Sequence, residues 1–418
     1  MLKVEVMKVN KSTKRVQLID GLRGFSLAGI ILANMLIFQY GILGESEPKL
    51  FGIEGADLAF HSFLFIAVVG SFMPIFAYMF GFGIVKLSDS LQARDLRPKC
   101  HLARRFLLLI GIGMLHATFL WEGDILTFYG ATGFFLLLFL NRKPKTLLVW
   151  SVLLLTVMGA IGMVPVNLEE STAESSSHTR SYIMQSRDVY GSGTYLEIMN
   201  FRNHAAMFSE EESSVMLVGI LFAPILIAPM FLLGMRAAKR GTFDNPQTMH
   251  RTYAQRAAIF IALGLILKAF SVLAPRFFTG TLPGLGLGDL LGGTLLALGY
   301  IYAFALLYTT VRRFSLLQNF EAVGKLSLTN YLLQTVICTT IFYGYGLGLF
   351  GRAGVFVGAV IVLAVYAVQL WLSPLYLKRF KTGPVEKVLR IWTYLSWKGQ
   401  PRKPRKDLTL PEERGQAS

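Results

Sequence analysis

Apolar residues along this chain fall in long unbroken blocks, not in the alternating or one-faced stripes of a water-soluble fold. A helix needs about 20 mostly apolar residues to cross a bilayer, because hydrocarbon offers its backbone N–H and C=O groups no partners. The blocks therefore predict an all-α, polytopic transmembrane helix bundle of about ten spans. They lie near 22–40, 58–85, 105–121, 124–141, 146–165, 214–236, 256–275, 288–311, 325–344 and 353–377.

Five regions follow from this pattern. A basic arm (1–21) precedes a first transmembrane half (22–165), and a polar loop (166–213) separates it from a second half (214–377). The loop is too long for a simple connection, and Tyr195-Leu196-Glu197-Ile198-Met199 within it predicts a short surface helix. In the last region (378–418), Gly383-Pro384 opens a segment with Val385, Val388, Leu389, Trp392 and Leu395 at helical spacing. That predicts an interfacial helix with a Glu386–Arg390 ion pair, followed by a basic disordered tail.

Composition agrees: 53% of residues are hydrophobic and 16% charged. The net charge of +16 would suit nucleic acid, but the basic residues gather in connections on one side of the bundle. Lys8, Lys11, Lys14, Arg15, Arg142, Lys143, Lys145, Arg312, Arg313, Lys378 and Arg379 are among them, and Glu45, Glu47, Glu54, Asp57 and Glu122 fall on the other. The positive-inside rule then places both termini in the cytoplasm and removes the case for nucleic acid. The first block reads as a retained helix, since further apolar blocks follow it. Cys100 and Cys338 give no disulfide framework, and the histidines show no metal-ligand spacing, so no metal is expected.

Polar groups inside spans are costly unless they face a partner, a cavity or water, so they are the candidate functional residues. Arg23 and Asn34 are eleven residues apart, close to one face of a helix, and Asp20 lies one turn before Arg23 as a structural ion-pair partner. Arg105 and His116 repeat the spacing, separated by about 16 Å of rise. The acidic turn from Trp121 to Leu126 brings Asp124 near His116 in sequence, and Tyr129 follows. A polar stripe of Ser327, Asn330, Tyr331, Gln334 and Cys338 could line a cavity or glue helices together. Lys268 is deep enough to need a partner, for which Asp289 is available.

At these residues the chain resembles the YeiB-type family of bacterial membrane proteins, which carry a C-terminal domain of unknown function. The matching stretches are Asp20-Gly21-Leu22-Arg23-Gly24 with Asn34, Gly113-Met114-Leu115-His116, Trp121-Glu122-Gly123-Asp124-Ile125-Leu126 and Tyr129. They continue through Tyr190-Gly191-Ser192-Gly193-Thr194-Tyr195, Leu328-Thr329-Asn330-Tyr331-Leu332-Leu333-Gln334, the segment from Tyr343 to Leu349, and Gly383-Pro384-Val385-Glu386 with Arg390. The resemblance implies a multi-pass protein of the bacterial inner membrane.

The first half is more distantly similar to membrane acyltransferases of the heparan-glucosaminide N-acetyltransferase type, through Asp20-x-x-Arg23-Gly24 and Ala56-Asp57-Leu58. Those enzymes carry a histidine in the loop before that second stretch, and this chain has none there. His116 would substitute. The likeness implies acyl transfer from cytosolic acyl-CoA, its phosphates held by Arg23, Arg104 and Arg105, to an acceptor outside. His116 with Asp124 would be catalytic, and Asn34, Asp57, Tyr129, Asn330, Tyr331 and Gln334 would face substrate. A transporter for a small polar solute is the alternative. The expected partners are the lipid bilayer and an unidentified small molecule, with homodimerisation left open.

Overall fold

The computed structural model describes residues 17–168, 175–205, 207, 210–310 and 315–401. Lys8, Lys11, Lys14, Arg15, Arg312, Arg313 and the tail beyond residue 401 lie outside those residues. The first half contains α1 (Gln17–Tyr40), α2 (Gly55–Ala67), α3 (Phe72–Gln92), α4 (Pro98–Phe119), α5 (Leu126–Leu136) and α6 (Pro144–Gly162). The polar loop holds α7 (Ser175–Ser192) and α8 (Tyr195–His204). Then come α9 (Glu210–Arg240), α10 (His250–Leu273), α11 (Gly293–Thr310), α12 (Ser315–Lys325), α13 (Ser327–Phe342), α14 (Val355–Arg379) and α15 (Pro384–Tyr394). The fold is all-α. A two-residue ladder, Val166–Asn167 antiparallel to Thr281–Leu282, is its strand pairing among the described residues.

Seven helical segments among the described residues are long and apolar enough to cross a membrane. They are Gln17–Tyr40, Gly55–Gln92, Pro98–Phe119, Pro144–Gly162, Pro246–Arg276, Gly288–Thr310 and Val355–Arg379. The other predicted spans fall on α5, with 11 residues, on α13, with 16, and on the 31-residue α9, part of whose side chains lies outside the described set. The predicted span 58–85 is broken between α2 and α3, where Gly70 takes a left-handed conformation at φ 73° that stops the helix.

Burial grades outward from α1. Its most apolar window is 67% buried and that of α11 61%, against 22% in α6 and α10, so α1 and α11 form the inside of the bundle. The outer helices expose Leu107, Val149, Ile266, Val360 and Trp371, the pattern of a lipid-facing surface. Lipid tails give helices no hydrophobic reason to associate, so contact depends on close approach at small residues. A Cβ on Gly24 of α1 would overlap the Phe320 carbonyl of α12, and one on Gly324 would overlap the Asp20 carbonyl. Gly81 and Gly234 form the same reciprocal crossing between α3 and α9.

The obstructing atoms at these crossings are backbone and cannot rotate away. Gly324→Val should force α12 off α1 and cost about 1–3 kcal/mol, as overpacking generally does. It should lower the melting temperature and monodisperse yield in detergent, and unchanged melting would contradict the crossing.

Candidate functional site

The C-terminal end of α4 needs partners for its last carbonyls. The short helix α8 supplies them: Tyr195 Oη donates to the Phe119 carbonyl at 2.7 Å, and Arg202 donates to the Leu120 and Thr118 carbonyls at 3.1 and 2.8 Å. The α8 helix itself starts with a Thr194–Glu197 capping box. This cover turns the chain sharply after α4 and sends residues 121–125 back across it. Gly113 lies one turn before His116, and a Cβ there would collide with Asp124 and Thr127, so the glycine lets the turn seat against α4.

His116 is buried at 2% exposure and is held at both ring nitrogens. Nδ1 is 3.1 Å from Asp124 Oδ1, and Nε2 is 3.0 Å from Thr335 Oγ1 on α13. A carboxylate only accepts, so Nδ1 carries the proton and Nε2 presents a lone pair, to which the Thr335 hydroxyl donates. The second Asp124 oxygen accepts from the Thr127 backbone N–H at 2.8 Å at the start of α5. Burial works to raise the Asp124 carboxyl, but the hydrogen bonds from His116 and Thr127 outweigh it and hold it below the usual carboxylate range. The rings of Tyr331 and Trp121 pack on the imidazole, with centroids 5.6 and 6.3 Å away, and Tyr331 Oη donates to the Gly123 carbonyl at 3.4 Å. Phe38 of α1 packs against Trp121 at 4.3 Å. One turn before Phe38, Asn34 is buried with Oδ1 unpartnered, as is the Trp121 indole N–H.

Below this centre, Leu27, Ile30, Phe76, Leu126, Leu328 and Tyr331 line an apolar crevice of about 10 Å³, room for roughly one water. Arg23, Leu27, Ile30 and Asn34 follow one another along one face of α1, so the crevice lies between the arginine and the buried amide. Arg23 pairs with Asp20 at 3.3 Å and donates to the Met79 carbonyl at 3.4 Å. Arg105 lies within electrostatic reach of Arg23, Tyr394, Glu386 and Arg390. Arg104 enters through its carbonyl, which accepts from the Trp392 indole at 2.9 Å.

Several expected site residues take structural partners instead. Asp57 accepts from the Phe356 N–H at 2.9 Å and caps the start of α14. Tyr129 Oη donates to the Met73 carbonyl at 2.8 Å beside the break between α2 and α3. Asn330 bonds Ser373 Oγ at 3.2 Å, and Gln334 bonds Gln369 Oε1 at 2.8 Å, so these amides tie α13 to α14. The expected Glu386–Arg390 ion pair is not formed. Glu386 turns to the start of α13, where it accepts from the N–H groups of Leu328 and Thr329 at 2.8 and 3.0 Å, because unsatisfied helix amides outcompete a solvated guanidinium. Lys268, 1% exposed, does meet Asp289 at 3.3 Å. Among the described residues no cluster of His, Cys, Asp and Glu could hold a metal ion.

Residues 237–396 match the family model described as "Protein of unknown function (DUF418)". Over 397 residues the chain is 34% identical to the uncharacterized protein YxaH of Bacillus subtilis (strain 168), covering 92% of this chain and 96% of the relative. The chain belongs to the YeiB-type, DUF418 family. The family's YeiB protein of Escherichia coli (strain K12) is 26% identical over 394 residues, 89% of this chain and 94% of its own. A further uncharacterized relative, the 39.9 kDa protein in the amylase 3′ region of Bacillus acidopullulyticus, is 27% identical over 386 residues, 91% of this chain and 94% of its own. No solved structure matches the chain. The family model reaches Thr335 and Glu386 but not His116 or Asp124, whereas YxaH aligns over nearly the whole chain.

The depressed Asp124 carboxyl has a consequence for acid stability. Its contribution is complete above its unfolded value of about 4 and is lost as pH falls through the lower folded value. Asp124→Asn should therefore lower the melting temperature at pH 6 and flatten its fall between pH 5 and 3. An acid limb as steep as that of the wild type would remove Asp124 as its source.

Proposed function

We propose that the chain is a multi-pass enzyme of the bacterial inner membrane that transfers an acyl group from a cytosolic acyl-CoA to an acceptor reached from outside. The observation that carries this reading is the Asp124–His116–Thr335 array, with a hydroxyl already donating to Nε2 of a histidine oriented through Nδ1. Thr335 holds the position of the acceptor hydroxyl in the resting protein. The acceptor replaces it, Nε2 takes its proton, and its oxygen bonds to the thioester carbonyl carbon. The carbon–sulfur bond then breaks, and the thiolate leaves as thiol with the proton from His116.

The donor side is supported by Arg23 and Arg105, whose guanidinium forks suit phosphate oxygens, with Arg104 alongside. Arg105 and His116 are separated by about 16 Å of helix rise, so a donor anchored at one end has to reach deep into the bundle. The apolar crevice between Arg23 and Asn34 suits the thin, uncharged part of such a donor. The transport reading has less support, because Asn330, Gln334 and Gln369 spend their hydrogen bonds on one another's helices and do not line a polar passage. Ten spans with both termini cytoplasmic fit the seven long segments together with α5, α9 and α13.

His116→Ala should abolish acyl transfer in proteoliposomes supplied with radiolabelled acetyl-CoA, while Thr335→Val leaves a substantial fraction. Arg105→Ala should raise KM for the donor about tenfold or more, the loss of one charge-assisted phosphate contact. Wild-type transfer rates in His116→Ala would sink the proposal. A cysteine placed at Ser192 should react with an impermeant maleimide on intact cells and one at Lys398 should not, and the reverse pattern would overturn the topology.

A further inference from the structure

Above the His116 centre, on the far side of the turn from α4, lies a second polar cluster with unsatisfied atoms. Glu122 Oε2, Arg202 Nε and Tyr343 Oη are each buried and without a hydrogen-bond partner. They come from three separate parts of the chain, the turn after α4, α8 and the end of α13, yet stand within electrostatic reach of one another. Buried polar atoms are almost always satisfied, and leaving one unpaired costs about 1–3 kcal/mol. Three converging orphans point to a missing occupant.

The rest of the cluster is firmly built. Glu122 Oε1 accepts from Tyr190 Oη at 3.1 Å, and the two terminal nitrogens of Arg202 are fixed on the Thr118 and Leu120 carbonyls. The ring of Tyr190 packs edge-on against Tyr343 at 4.8 Å and stacks on Phe350 at 5.2 Å. Tyr343 and Tyr190 are each 1% exposed.

The spare atoms define the chemistry of the occupant. Glu122 offers an acceptor, Arg202 a donor and Tyr343 either role. Carboxylate and guanidinium balance one another, so an ion would leave one buried charge uncompensated, whereas a neutral group would not. A group able both to donate and to accept at neighbouring positions, with C–H faces to lay against aromatic rings, is a polyol. We infer that Glu122, Arg202 and Tyr343 form a binding site for a neutral polyhydroxylated molecule at the outer end of the His116 centre. Reading that molecule as the acyl acceptor rests on the transfer proposal above; its binding does not.

The test uses the full-length protein purified in detergent, without acyl donor. Glycerol, myo-inositol and glucose serve as neutral probes, with glucuronate and glucosamine as charged ones of similar size. At least one neutral probe should raise the melting temperature and bind by calorimetry, at least tenfold more tightly than either charged probe. Tyr343→Phe, which removes one oxygen, and Glu122→Gln should each weaken binding tenfold or more with unchanged folded yield.

Binding should persist in His116→Ala, which separates this inference from the transfer reading. Loss of transfer with polyol binding intact supports the site, and failure of the transfer reading leaves polyol binding standing. Three results overturn the inference: no neutral probe shifts the wild type, Tyr343→Phe binds as well as the wild type, or a charged probe binds as tightly as the neutral ones. A lower melting temperature for Tyr343→Phe without polyol binding would assign the cluster to a structural water and overturn it equally.

Discussion

Hydrocarbon forms no hydrogen bonds, so each polar side chain inside the bundle has to find its partner in protein. Most of the architecture around α4 and α13 follows from that requirement. His116 is held between Asp124 and Thr335, which ties α4 and the turn after it to α13. Asp57 and Glu386 are spent on the free amides of α14 and α13, and Gln334 and Gln369 pair across α13 and α14. The unsatisfied atoms are then informative by contrast. Asn34 and Trp121 flank His116, and Glu122, Arg202 and Tyr343 gather just beyond it.

The helical class, the apolar segments and the Asp20–Arg23 pair were legible in sequence because each depends on local spacing. The juxtaposition of His116 and Asp124 was also legible, since only a turn separates α4 from α5. Thr335 was not. A threonine in an apolar helix commonly bonds the carbonyl one turn back, and nothing in its neighbours shows that it faces a histidine 219 residues away. Asp57 and Glu386 were misleading for a related reason, because the helix ends they cap lie 299 and 58 residues distant.

Segment lengths carried a similar ambiguity. The block over 58–85 has the composition of one long helix, but Gly70 ends α2 and Phe72 begins α3. That break leaves the Met73 carbonyl in the first turn of α3 to be met by Tyr129, so an interruption invisible in hydropathy fixes where a conspicuous tyrosine goes. Runs of apolar residues report that a segment is buried in lipid or protein, whereas glycine geometry and distant caps decide where it starts and stops.

The central position of α1 bears on how the protein is made. It is the first helix to leave the ribosome, yet the groups that enclose it arrive late: Phe320 and Gly324 on α12, Tyr366 on α14, which donates to the Gly24 carbonyl at 2.7 Å, and Ala353, which accepts from Tyr40 at 2.9 Å. During synthesis Asn34 and the polar face of α1 wait in the membrane while most of the chain is inserted around them. Biogenesis therefore has a long interval in which α1 is exposed to lipid or to an insertion factor, and release from it awaits translation of α12 and α14.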